Sequence, residues 1–272
     1  LSNLPNTYRD AGEYIRNNFR PFCISFFLIV DLVLLGRNLG TAMVIAFIGL
    51  IAYGAAATTK YHKIGLMLLC GFMAVGGLIF GIYENYRADR IAVWTNYLKT
   101  GDTEILEADG TVTRDQRSYQ FDQVLTACGT GGLSGVGLGQ SIGKYYFVKT
   151  TAGDDSIICI VGEELGSVMT AGILFLYLYL VYACLSLARD FWNKPIYYYL
   201  LIAIASWIGF QMFVHVGANL GVIPLTGQTL PFVSLGGSSI ISLMAAMGIV
   251  LNISKQPRKV EESGRKNLES RI

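Results

Sequence analysis

Charge is scarce in this chain. Of its 272 residues only 15% are Asp, Glu, Lys or Arg while 53% are hydrophobic, and the mean hydropathy is +0.46. Soluble domains carry about 25% charged residues, so an ordinary soluble enzyme is a poor description. Neither sign dominates: 21 Lys and Arg face 19 Asp and Glu, a net charge of +2, too mild for nucleic-acid binding by bulk electrostatics. Closely spaced cysteines are missing as well. Cys23, Cys70, Cys128, Cys159 and Cys184 lie far apart, which predicts neither a disulfide framework nor a zinc site. The first twenty residues contain no apolar signal-peptide core and residue 1 is Leu, so a secretory leader is not expected and the start reads as truncated.

What the chain does have is long apolar runs with charge collected between them. A helix rises about 1.5 Å per residue and must satisfy its own backbone in lipid, so crossing about 30 Å of hydrocarbon takes about 20 residues. Runs at 39–57, 64–83, 165–188, 195–214 and 236–253 contain no charged residue, and a shorter run at 22–35 contains Asp31. Counting all of them predicts an all-α, polytopic helical membrane protein with about six spans. Basic groups then fall on one side: Arg9, Arg16 and Arg20; Lys60 and Lys63; Arg189 and Lys194; Lys255, Arg258 and Lys259. The positive-inside rule makes that side cytoplasmic. Residues 1–21 become a cytoplasmic segment, 22–253 a transmembrane domain with a long outer loop at 84–155, and 254–272 a cytoplasmic tail. A loop of that size is usually functional, so the chemistry is expected to face outward.

Several residues in or near that loop carry candidate chemistry. Arg87 and Arg90 stand three apart, on one helical face, where planar guanidinium forks could hold a phosphate; the plainer reading anchors a helix end at lipid head groups. A polar excursion, LKTGDTEILEADGTVTRDQRS, reads as solvated loop. Gly129, Gly131, Gly132, Gly135, Gly137 and Gly139 then cluster ahead of Lys144. Glycine permits close backbone approach to a ligand, but GK followed by Ser or Thr is absent, and a flexible loop is the alternative. Asp154 and Asp155 precede the fourth long run, where a carboxylate could serve as general base or simply cap a helix. Glu163, Glu164, His215 and Asp31 lie in or beside spans, where ionisable groups are costly and are either functional or paired. The Pro- and Gly-punctuated stretch from His215 to Ser239 suits the wall of a substrate cavity.

Taken in order, these stretches resemble the SEDS family (shape, elongation, division and sporulation), the FtsW/RodA/SpoVE-like peptidoglycan glycosyltransferases. YRADRI is similar to the family's YRxxRI, SYQFDQVLTACGTGGLSGVGLGQS to YQxxQSLxAxGSGGLxGxGLGxS, DSIICIVGEELG to DFIFAxIGEELG, and NLGVIPLTGQTLPFVSLGGSS to NxGxxPxTGxxLPFxSYGGSS. The resemblance runs from about Gly36 to Ile253 and leans slightly toward FtsW. It implies a ten-span fold of which spans five to ten are present, and an isolated chain that does not polymerise by itself. It also implies Asp155 as the catalytic outer-loop base, with Arg87, Arg90, Gln120, Gln123, Lys144, Glu163 and Glu164 as substrate-binding residues.

The implied activity is polymerisation of lipid II, an undecaprenyl-pyrophosphate-linked disaccharide, at the outer face of the bacterial cytoplasmic membrane, for cell division or cell-shape maintenance. A class B penicillin-binding protein and other divisome or elongasome membrane proteins are the implied partners, and nucleic acid is not. No cofactor is specified, a divalent cation such as Mg2+ being the one candidate. The chain departs from the pattern at residues 150–153, where the family's Pro, Glu and His are lost, at Asn38 in place of Asp, and at Leu235 in place of Tyr. Two other readings compete: a lipid-linked precursor flippase or transporter using Asp31, Glu163, Glu164 and His215, and an inactive scaffold for the transpeptidase. The topology has a direct check. An impermeant thiol reagent applied to intact cells should modify a cysteine placed at Thr111 but not one placed at Lys194, and the opposite pattern would invert the protein.

Overall fold

The structure is a computed structural model and describes residues 17, 19–36, 39–56, 62–71, 85–102, 105–106, 112–113, 116–144 and 155–257. Its helices are α1 (Arg20–Leu35), α2 (Leu39–Ala55), α3 (His62–Gly71), α4 (Asn85–Thr100), α5 (Gln116–Thr130), α6 (Ile157–Asp190), α7 (Pro195–Asn219) and α8 (Gly237–Ser254). The expected all-α class is what forms. Among the described residues the only β structure is an antiparallel pair, β1 (Ile105–Leu106) and β2 (Val112–Thr113), with Ile105 opposite Thr113 and Leu106 opposite Val112. It sits inside the excursion expected to be unstructured, and the end of that excursion already belongs to α5.

Among the described residues three helices, α6, α7 and α8, are long and apolar enough to cross a membrane, while α2 and α3 are shorter apolar helices. α1 has 16 residues, with a proline in its first turn and Gly36 at its C-cap, the asymmetry that favours helix starts and stops. The third run continues past Gly71 into 72–84, outside the described residues. Large apolar side chains stand uncovered along these helices, including Leu28, Leu32, Leu176, Leu178, Ile241 and Leu251. A soluble protein seldom exposes so much apolar surface, whereas hydrocarbon tolerates it. The chain is an integral membrane protein.

Two compact units form. The first comprises Leu1–Cys70, Tyr177–Phe210 and Gly237–Ile272. Its described interior is aromatic: Phe22 and Tyr53 pack at 4.6 Å between ring centroids, and Phe47 stacks on Phe210 at 4.0 Å. Gly49 leaves room for the Phe26 ring, which a Cβ there would strike.

The second unit, Gly71–Leu176 and Gln211–Gly236, contains the motif-bearing stretches, and its centre is a broken helix. α6 covers 34 residues and is interrupted at Gly166 (φ 81°, ψ 168°), which divides it into two helical stretches. A break frees backbone groups that must find partners. The glycine-rich loop supplies them: Val136 N–H donates to Glu163 O (2.9 Å), Gly137 N–H to Glu164 O (3.0 Å), and Ser167 N–H to Gly132 O (2.9 Å). The two backbones approach so closely that a Cβ on Gly131 would strike Gly162 O, one on Gly135 would strike Glu164 O, and one on Gly166 would strike Leu133 O. The glycine cluster therefore serves backbone-to-backbone packing.

Glu163 completes the arrangement. Its buried carboxylate accepts from Ser141 Oγ (2.6 Å), Ile142 N–H (2.9 Å) and Gly143 N–H, and Ser141 Oγ in turn accepts from Lys144 N–H (2.9 Å). One buried acid thus fixes the far end of the loop.

The cysteine expectation is corrected here. Cys128 and Cys159 form a disulfide across 31 residues of sequence, with Cα atoms 4.3 Å apart. The last turn of α5 and the first turn of α6 meet side by side, a neighbourhood that sequence spacing does not reveal. Cys23, Cys70 and Cys184 are free thiols.

The broken helix generates a stability prediction. Gly166 occupies a backbone region nearly closed to other residues, where a non-glycine costs about 1–3 kcal/mol, and the Leu133 carbonyl blocks any Cβ. Gly166→Ala should lower the Tm in detergent by several degrees. Gly172→Ala, where a Cβ meets nothing within 4 Å, should leave Tm unchanged or raise it slightly. Equal Tm values for the two variants would remove the break from the stability argument.

Candidate functional site

The C-terminal part of α7 carries a polar stripe on an otherwise apolar helix. Gln211, His215 and Asn219 recur at intervals of four, so they share one helical face, and all three are buried. Each holds backbone from elsewhere in the unit. Gln211 Nε2 donates to Thr229 O (3.0 Å) and Oγ1 (3.1 Å). His215 Nδ1 lies 2.6 Å from Gln228 O. Asn219 Nδ2 donates to Asp155 O (2.9 Å) and to His215 O (2.8 Å). The stripe therefore fastens both the 226–229 segment and the Asp155 turn.

Asp155 lies immediately ahead of α6. The Ser156 carbonyl accepts the first helical hydrogen bonds, from Cys159 N–H (3.1 Å) and Ile160 N–H (3.4 Å), so Ser156 rather than Asp155 opens the helix. The Asp155 carboxylate faces Gly227: its Oδ2 lies 3.3 Å from where a Cβ on Gly227 would stand, and Gly227 has φ +68°. Glycine there lets the 226–228 backbone run past the carboxylate. Below this turn, the sulfurs of Cys128 and Cys159 lie 3.7 and 3.8 Å from Asn219 O. The disulfide, the end of α7 and the start of α6 thus share one anchor point.

From the other side α4 closes on the same loop. Arg90 Nη1 donates to Leu225 O (2.8 Å) and, one helical turn on, Trp94 Nε1 donates to Gly221 O (2.9 Å). Gly221, at φ +72°, packs against Tyr97, Leu125 and Phe121, and Tyr97 and Phe121 meet edge to face. The result is a small cleft whose polar lining includes Arg90, Gln120, Asp155, His215, Thr226 and Gln228.

Of the residues expected from sequence, Asp155, Arg90 and Gln120 come together in this cleft. Gln123 is buried on α5 with Nε2 lacking a partner among the described residues, and does not line the cleft. Glu163 holds the 141–143 backbone, and Glu164 has a buried Oε1 without a partner among the described residues. Lys144 is exposed at the end of the glycine loop. Arg87 lies on α4, three residues before Arg90, with its side chain outside the described residues, as are Asp154 and Lys149 entirely. Asp31 is exposed on α1, in the first unit. Among the described residues no group of three or more His, Cys, Asp or Glu side chains could hold a metal ion. Gln211, Asn219, Ser156, Thr226, Gly227 and Gln228 were not singled out from sequence. The polar stripe at four-residue spacing, starting inside an otherwise apolar run, was the available signal.

Comparison with known proteins gives the chain a family. The family model described as cell cycle protein, FtsW/RodA/SpoVE, matches residues 3–259. The chain is 32% identical over 259 residues to a probable peptidoglycan glycosyltransferase FtsW of Alteromonas naphthalenivorans, covering 94% of the chain and 46% of that relative. It is 34% identical over 255 residues to the protein of that name in Tolumonas auensis, covering 91% and 61%. The chain thus spans about half to three fifths of the length of these curated relatives. A chain from a solved structure described as "Structural coordination of polymerization and crosslinking by a peptidoglycan synthase complex" superposes with a TM-score of 0.65 at 23% identity, covering 92% of this chain and 66% of that one, a likeness of fold. With nearly its whole length matched, the chain belongs to the FtsW/RodA/SpoVE family of cell cycle proteins.

Proposed function

We propose that this protein is a peptidoglycan glycosyltransferase that polymerises lipid II into glycan strands at the outer face of the cytoplasmic membrane, in cell division or cell-shape maintenance. The observation that carries the reading is Asp155, held by its backbone on Asn219 with its carboxylate against Gly227 in the cleft that Arg90 and Gln120 also line. The curated relatives bear the glycosyltransferase name, and the motif register puts Asp155 where the family has its catalytic aspartate.

In this reading Asp155 accepts the proton of the acceptor sugar's hydroxyl as its oxygen attacks the donor's anomeric carbon, and the bond to undecaprenyl pyrophosphate breaks. General-base help is worth about 10²–10⁴ in rate, so orientation must contribute much of the rest. Arg90, already fixed by the Leu225 carbonyl, sits on the wall where a guanidinium would offset charge on the leaving pyrophosphate. Arg87 and Lys144 are proposed to extend that positive field.

The outward orientation is supported by the basic groups of the sequence and by the Cys128–Cys159 bond, since disulfides persist in oxidising compartments. A class B penicillin-binding protein is the proposed partner, supported by the fold's likeness to a chain of a peptidoglycan synthase complex. The transporter reading draws less support. Glu163 and His215, two of its four proposed relay groups, hold loop backbone, and Asp31 belongs to the other unit.

Asp155→Asn in the full-length protein should abolish glycan formation from purified lipid-linked substrate while leaving membrane insertion and Tm near those of the parent. Activity within a few-fold of the parent would remove Asp155 from the mechanism. Asp154→Asn should be much milder, and the reverse ranking would shift the proposed register by one residue.

A further inference from the structure

The Cys128–Cys159 bond meets the support of the Asp155 turn with both of its sulfurs. Cys128 Sγ lies 3.7 Å and Cys159 Sγ 3.8 Å from the Asn219 carbonyl oxygen, and Cys159 Sγ lies 3.6 Å from Asn219 Oδ1. The amide nitrogen of that same side chain donates to Asp155 O (2.9 Å). Asn219 thus touches the disulfide with two atoms and holds the Asp155 backbone with a third. Cys159 also belongs to the first turn of α6, the helix that opens immediately after Asp155 and Ser156.

The two cysteines differ in access. Cys159 is 0% exposed, whereas Cys128, in the last turn of α5, is partly exposed. Thiol exchange therefore enters through Cys128. An incoming thiolate attacks the Cys128 sulfur, the bond to Cys159 breaks, and Cys159 leaves as a thiolate that takes a proton. A second external thiol then displaces Cys128 from the mixed disulfide. The chain gains two thiols and the reductant ends as a disulfide. Formation runs the other way, with two electrons and two protons passing to a disulfide-bearing oxidant, which persists in oxidising compartments.

Once the bond is cut, the sulfurs cannot stay at bonding distance. Cys159 is fully buried and protein interiors hold little spare volume, so the room comes from displacement of the Asn219 carbonyl or of the facing turns of α5 and α6. Either movement disturbs the hydrogen bond from Asn219 to the Asp155 backbone.

We propose that the Cys128–Cys159 bond is a redox-sensitive brace for the Asp155 turn, so that the protein works at full rate only after its oxidation by a disulfide-bearing oxidant. Cys128, Cys159 and Asn219 are positioning residues in this scheme. The effect on rate rests on the glycosyltransferase reading; the effect on the turn does not.

The test compares purified full-length protein held in oxidised glutathione or in dithiothreitol with a Cys128→Ala/Cys159→Ala double variant. Amide hydrogen exchange over 155–161 and 215–220 reads the brace without any assay of activity. Reduction should speed exchange there about tenfold and lower the Tm by several degrees, and reoxidation should restore both. Glycan formation from purified lipid-linked disaccharide should fall about three- to tenfold on reduction, a loss of orientation, and recover on reoxidation. The double variant should match the reduced protein in either buffer. A Cys128 thiol that is alkylated in denaturant without prior reduction overturns the proposal. So does exchange that changes by less than twofold on reduction, a rate of glycan formation that reduction leaves unchanged, or a double variant that still responds to dithiothreitol. Oxidised protein that makes no glycan, yet whose exchange over these segments responds to dithiothreitol, keeps the brace and defeats the glycosyltransferase reading.

Discussion

The pairing of the glycine loop with the interrupted backbone of α6 is the constraint on which the second unit depends. Buried backbone groups must find partners, and the break at Gly166 frees some that the helix would otherwise pair. The loop answers them with its own N–H and C=O groups. That is possible only because glycines at 131, 135 and 166 let two main chains approach within the space a Cβ would occupy. Glu163 ties the loop's far end to the same helix by three donors. A buried carboxylate is costly unless it is well hydrogen-bonded, and this one is.

From that frame the cleft is assembled by buried polar side chains acting on backbone rather than on one another. Gln211, His215 and Asn219 present amide and imidazole groups at four-residue intervals, and each takes hold of a different part of the chain. Arg90 and Trp94 do the same from α4, one turn apart. Such contacts fix main-chain position around the cleft that Asp155, His215 and Thr226 line. The Cys128–Cys159 bond joins α5 to α6 directly beneath, so the helix carrying Asp155 at its head is fastened covalently as well as by hydrogen bonds.

The charged residues near the spans illustrate how sequence position and role can part. Glu163, Glu164, His215 and Asp31 look alike as ionisable groups in apolar surroundings, which by itself marks function or pairing without choosing. In the folded chain Glu163 is a loop anchor and His215 a backbone anchor with a spare acceptor, while Asp31 stands exposed on α1. The glycine cluster follows the same logic. Its composition announced close backbone approach, and the approach is to another part of the protein.

The sequence by itself determined the membrane class, the helical architecture and the family, because these depend on hydrophobic run length, on charge placed between runs, and on motifs whose order survives in one dimension. It also placed Asp155, Arg90 and Gln120 among the residues to watch, each carried by a contiguous motif. Only the tertiary structure decided that Cys128 meets Cys159, that Asn219 holds the Asp155 backbone, and that His215 reaches the Gln228 carbonyl. Those contacts join residues 13 to 64 positions apart. A hydrogen bond or a disulfide depends on distance in space, and nothing in local spacing encodes which distant backbone a polar side chain will meet.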